Sequence, residues 1–94
     1  MTLLKNPCHP GEILKHEFLL PLEMSEGQLA KILHVPRTRI ERLTKEETAL
    51  TVDTALRLAR VFGTTAEFWL NMQRAYDLAT ADVDVSDITP LEVA

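Results

Sequence analysis

The stretch SEGQLAKILHVPRTRIERLT, residues 25–44, decides the fold. Ser25-Glu26-Gly27-Gln28 has the form of a capping box, in which the serine accepts from the backbone at a helix start and the glutamine reaches back three residues. Leu29, Ala30, Ile32 and Leu33 then recur at helical spacing, which predicts a short helix over 26–33. His34 and Val35 form the turn, and Pro36 opens a second run, PRTRIERL, with Ile40 and Leu43 inward and Arg37, Thr38, Arg39 and Arg42 left polar. The buried positions of the pair are then Leu29, Ala30, Leu33, Val35, Ile40 and Leu43, all apolar, and the small Ala30 lets the helices cross steeply. Two short helices around a tight turn, the second with a basic outer face, suit entry of one helix into the DNA major groove.

Three further helices flank this pair. Residues 9–20, HPGEILKHEFLL, place Ile13, Leu14, Phe18 and Glu17 at helical spacing, with Pro10 in the first turn and Pro21 ending the run. Thr51 caps a mostly buried helix over 52–62, which Gly63 stops. Thr65 caps a fifth, over 66–80, with Phe68, Trp69, Leu70, Met72, Tyr76, Leu78 and Ala79 more than halfway round it. From Ala81, ADVDVSDI alternates with a period of two, the pattern of an extended tail. The expectation is a compact all-α, five-helix, lambda-repressor-like helix-turn-helix domain over residues 1–80, followed by an acidic extended tail over 81–94.

The charge distribution supports that division. The 94 residues carry a formal charge of −4, which by itself disfavours phosphate binding. Residues 1–80, however, hold all 10 Lys and Arg and sum to zero; the tail holds Asp82, Asp84, Asp87 and Glu92 and no base. Residues 31–45 set Lys31, Arg37, Arg39, Arg42 and Lys45 against Glu41 alone, a local basic patch. A single cysteine, Cys8, excludes an intramolecular disulfide and fits a reducing compartment. With no run of 18 apolar residues and no signal-like N-terminus, a cytoplasmic location without membrane contact is expected.

Other chemistries fit poorly. Cys8, His9, His16 and His34 lack the spacing of a metal site, so neither metal nor cofactor is expected. No nucleophile and base, and no paired carboxylates around a cleft, point to an enzyme, so no catalytic residue is assigned. Helix five is apolar on two sides, and so small a domain covers one. Phe68, Trp69, Met72 and Tyr76 are therefore the expected homodimer interface. A helix-turn-helix dimer sets its recognition helices about 34–36 Å apart and reads an inverted repeat.

Several segments in order, His9-Pro10-Gly11-Glu12-Ile13-Leu14, Gln28-Leu29-Ala30, Val35-Pro36-Arg37-Thr38-Arg39-Ile40, Ala55-Leu56-Arg57-Leu58-Ala59 and Glu67-Phe68-Trp69-Leu70-Asn71-Met72-Gln73, resemble the HigA-type antitoxins of the Xre-like helix-turn-helix repressors. The resemblance implies an antitoxin that neutralises a HigB-like mRNA-endonuclease toxin and represses its own operon as a homodimer on operator DNA. It places Arg37, Thr38 and Arg42 at base edges and Arg39 and Lys45 nearer phosphates, with Ser25 and Gln28 at the start of helix two steadying the backbone. The acidic tail and the first helix are the two candidate surfaces for a basic toxin. Two positions depart from the family pattern. His34 stands where Gly is usual and must accept or avoid a positive φ, and Thr44-Lys45-Glu46-Glu47 replaces an Asn-Gly loop with two glutamates that would repel phosphate if they faced DNA. An Xre-like repressor without a toxin, or an interaction module that has lost DNA binding, are the alternative readings.

Overall fold

The computed structural model describes residues 7–92. The helices are α1 (Pro10–Ile13), which runs straight into a π-helical segment (Leu14–Leu19), α2 (Glu26–Leu33), α3 (Arg37–Thr44), α4 (Val52–Phe62) and α5 (Ala66–Thr80). The fold is all-α, and no strand forms among the described residues.

Local chemistry accounts for the helix starts. His9 Nδ1 accepts from the Gly11 N–H at 2.9 Å, so the imidazole caps α1 ahead of Pro10. Ser25 and Gln28 form the full capping box: Gln28 N–H donates to Ser25 Oγ at 3.1 Å, and Ser25 N–H to Gln28 Oε1 at 2.8 Å. Thr51 and Thr65 cap α4 and α5 through their hydroxyls.

The helix ends have a less common chemistry. Leu19, α2 and α3 are each followed by paired backbone bonds of the Schellman type. Met24 N–H reaches the Leu19 carbonyl at 2.9 Å, Val35 that of Ala30 at 3.0 Å, and Glu47 that of Arg42 at 2.9 Å. Each needs a left-handed residue, and here those are Glu23, His34 and Glu46 at φ 52°, 61° and 62°. His34 does take the positive φ that its place in the turn demands. None of the three is glycine, so each carries a steric cost of about 1 kcal/mol or more.

The first helix differs from a simple α-helix. Leu20 N–H donates to the Lys15 carbonyl at 2.9 Å, an i to i+5 bond that brings residues five apart toward one face. Leu14 and Leu19, five apart, are thereby both buried, while Glu17 is exposed and Ile13 and Phe18 are half-buried.

One core joins the helices: Leu14, Leu19, Leu29, Ala30, Leu33, Ile40, Leu43, Leu50, Ala55, Leu58 and Trp69. The inner positions expected for α2 and α3 are all buried except Val35, which is half-buried against the cluster. The expectation of a mostly buried α4 is not met. Val52 and Leu56 are each 58% exposed, and Thr54 turns inward instead. Gln73 is buried as well, accepting from Leu50 N–H at 2.7 Å and donating to Asp77 at 2.9 Å. It satisfies a buried backbone donor in the loop that leads from α3 to α4.

Gly11 is fixed by contact rather than by φ. A Cβ there would lie 1.8 Å from the Leu43 carbonyl oxygen, so α1 presses directly on the end of α3. Gly11→Ala is expected to lower stability by about 1–3 kcal/mol in urea unfolding. Glu46→Gly is expected to raise it by about 1 kcal/mol through relief of the left-handed strain. An unchanged midpoint in either variant contradicts the corresponding contact or strain.

Candidate nucleic-acid interface

At about 3.6 residues per turn, the buried Ile40, Leu43 and Thr44 put Thr38 and Arg42 at the centre of the opposite, solvent-facing side of α3. Arg37 and Glu41 lie along the flank toward α2, and Arg39 along the flank toward α4. Arg37, Thr38, Arg39, Arg42 and Lys45 are all exposed, as are Ser25 and Gln28 at the start of α2. The sequence-assigned nucleic-acid residues thus share one face of the helix pair and its rim.

Their side chains are not equally available. Arg37 Nε donates to Glu41 Oε2 at 2.8 Å, the i, i+4 pair already legible in the sequence. Arg39 Nη1 donates to Asp53 Oδ2, and Arg57 Nε donates to the same oxygen at 3.0 Å. Arg57 Nη1 in turn donates to the Leu33 carbonyl at 2.8 Å. This chain ties the end of α2 and the flank of α3 to the first turn of α4. Arg42, Lys45 and Lys31 have no ion pair among the described residues.

Glu26 and Thr44 add a second tie between α2 and α3. Thr44 Oγ1 donates to Glu26 Oε2 at 3.2 Å, which holds that carboxylate at the helix pair's edge. Burial first, then the charge and hydrogen bond of Glu12 and last the charge of Glu46, push the Cys8 thiol pKa up.

A cleft of about 480 Å³ runs between α3 and α4, lined by Thr38, Arg39, Arg42, Thr48, Thr51 and Asp53 among others. Four threonine hydroxyls and three guanidiniums line its wall beside Pro36, Leu43 and Ala49, with Asp53 as its one carboxylate. Such a lining suits a phosphate only if the arginines outweigh Asp53. Sequence reasoning missed both Asp53 and Arg57: the i, i+4 spacing that joins them was visible, but the partners each has on another helix, Arg39 14 residues from Asp53 and Leu33 24 residues from Arg57, were not.

The four residues expected at a dimer interface are not on one open face. Trp69 is fully buried, donating from Nε1 to Thr64 Oγ1 at 2.8 Å and packed with Phe18, Phe62 and Phe68 at centroid distances of 5.2, 6.5 and 5.1 Å. It offers nothing to a second subunit, so its place in that set is corrected: the second apolar side of α5 is needed to close the core under α1. Tyr76 is half-buried against His9, ring centroids 4.9 Å apart, and Met72 packs against the core. Phe68 stays exposed beside a groove of about 410 Å³ shared with Pro7, Cys8, Ile13 and Met72. Uncovered apolar surface lies farther along, at Leu78 and then Val83, Val85, Ile88 and Leu91 of the exposed segment 81–92.

Fold and surface together define a helix-turn-helix domain, and the helix-turn-helix family pattern matches residues 16–69. Virulence-associated protein I of Dichelobacter nodosus is 52% identical over 80 residues, covering 85% of this chain and 74% of that one. Among solved structures, Pseudomonas aeruginosa antitoxin HigA with the higBA promoter is 43% identical over 80% of this chain and 82% of that chain, with a TM-score of 0.78. A HigA-family addiction module antidote protein of Coxiella burnetii is 44% identical over 92% and 99%, with a TM-score of 0.79. The chain belongs to the Xre-like helix-turn-helix family that includes the HigA antitoxins. Among the described residues, no helix is long and apolar enough to cross a membrane.

The Asp53 clasp has a pH signature. The hydrogen bond from Arg57 first, and that from Arg39 second, hold its carboxyl below the ordinary value of 3.8. A carboxyl lowered in the folded state stabilises the fold above its unfolded value, and that contribution disappears as pH falls through the folded one. Asp53→Asn is therefore expected to lose a small part of its stability advantage at neutral pH while matching the parent in strong acid, as followed by urea midpoints. A constant difference across that range contradicts the clasp.

Proposed function

We propose that the chain is a sequence-specific DNA-binding repressor and the antitoxin of a two-gene module. It reads operator DNA with α3 as a homodimer and neutralises a HigB-like toxin. The observation that carries the DNA reading is the outward face of α3, with Thr38 and the unpaired Arg42 at its centre and the buried residues of α2 and α3 fixing its tilt. An exposed guanidinium there suits bidentate contact with guanine, and Arg39, Lys45 and the amide of Gln28 stand at the rim, where phosphates pass. The promoter-bound Pseudomonas aeruginosa HigA supports this reading.

In this reading, dimerisation uses the outer end of α5 and the tail rather than Trp69. Leu78 is 74% exposed, and the apolar residues of 81–92 have nothing over them in their own subunit. A second copy covering them would set two recognition helices about one DNA turn apart, as an inverted repeat requires. The tail's acidic residues also suit a basic toxin, whose neutralisation would then leave the α3 face open to DNA.

Three experiments test the proposal. Arg42→Ala is expected to weaken operator binding by about 1–3 kcal/mol in a titration at fixed salt, with a smaller loss on random duplex. Equal losses on both would make Arg42 a phosphate contact. Removal of residues 81–94, or Leu78→Glu in the full chain, is expected to yield monomers in sedimentation, and intact dimers from both would reject this interface. Co-expression with the product of the adjoining gene is expected to relieve the growth arrest that product causes alone. Unrelieved arrest would favour a repressor without a toxin.

A further inference from the structure

Two of the three arginines on α3 are already occupied by carboxylates of their own subunit, Arg37 by Glu41 and Arg39 by Asp53. These pairs do little for the fold. The Arg39 and Asp53 side chains are 41% and 54% exposed, and ion pairs so open to water contribute roughly 0–1 kcal/mol. Their effect falls on whatever approaches α3. A paired guanidinium offers a phosphate less until its pair loosens, and the carboxylate left beside it repels the phosphate.

Neither carboxylate is placed to withdraw. Glu41 is on the same helix as Arg37, one turn on. Asp53 sits in the first turn of α4, where the helix dipole favours a negative charge, and the Arg57 guanidinium donates to the same oxygen as Arg39 while gripping the Leu33 carbonyl. Sequence-independent binding to duplex DNA draws on every available cation, since each neutralised phosphate releases counterions. Over residues 31–45, that leaves Lys31, Arg42 and Lys45 for any duplex, with Arg37 and Arg39 held back.

We propose that Glu41 and Asp53 are specificity-determining residues: by occupying Arg37 and Arg39 they depress binding to random duplex more than binding to the operator. On the operator, a matched base edge or correctly placed phosphate offers a guanidinium two acceptors at once and recovers the cost of loosening its pair. On random duplex the phosphate meets the intact pair and gains less. The inference rests on the reading of α3 as the DNA-facing helix.

The test titrates the full-length parent chain, Glu41→Gln, Asp53→Asn and Asp53→Glu against operator and random duplex across a range of salt. Both neutral variants are expected to gain affinity for random duplex, by up to about fivefold, which is the effect of removing competition from one exposed pair. The slope of log affinity on log salt should steepen by up to about 0.9 for each arginine released, and the ratio of operator to random affinity should fall. Asp53→Glu, which keeps the charge, should retain the parent ratio. If Asp53→Asn merely loosened the helices, affinity for both duplexes would drop, and that result overturns the inference, as does an equal change on both. Failure of the parent chain to distinguish operator from random duplex would instead remove the reading of α3 on which the inference stands.

Discussion

Everything α3 presents to solvent depends on how closely it is held from behind. Ile40 and Leu43 are buried in the same cluster as Leu29, Ala30 and Leu33 of α2. The far end of α3 is held as tightly, because Gly11 brings α1 against the Leu43 carbonyl at a distance that excludes any side chain. Thr38 and Arg42 face outward because the opposite side of an eight-residue helix has nowhere else to go.

Charge then decides what that face does. The chain as a whole is acidic, yet its net charge lies in a tail without a base, and within the neutral body Glu41 and Asp53 stand beside two of the arginines of α3. A surface with its cations partly balanced has little reach toward phosphate in general, while Arg42 and Lys45 have no ion pair among the described residues. The same Asp53 that moderates Arg39 also joins α3 to α4 and, through Arg57, to the end of α2. A link between three helices and the moderation of Arg39 thus meet at one carboxylate, while the buried core sets the orientation of the helix.

Much of this was legible in the residues because the signals were local. Capping residues Ser25, Thr51 and Thr65 and apolar spacing placed α2, α3, α4 and α5 where they are found. The π-helical segment was not legible, since the burial of Leu14 and Leu19 together is decided by the core they meet and not by their spacing. The strained ends at Glu23 and Glu46 were also hidden, because the residue that normally advertises such a turn is glycine. Apolar residues on two sides of α5 suggested an interface, but a helix wedged between α1 and α4 needs both sides for its own core, and Trp69 is the result. The role of Asp53 went unseen because Arg39, which it holds, lies on another helix 14 residues away, and Arg57, its partner one turn on, also reaches the Leu33 carbonyl at the end of α2.

The account turns on α3 as a groove-reading helix in a symmetric pair, and footprinting of the intact chain on the DNA upstream of its own gene tests that most directly. The expected result is protection of an inverted repeat whose half-sites are centred about 10–10.5 base pairs, one helical turn, apart. Protection should persist in the presence of excess random duplex. No protection at low salt, or an even coating of the fragment without a repeat, would contradict it.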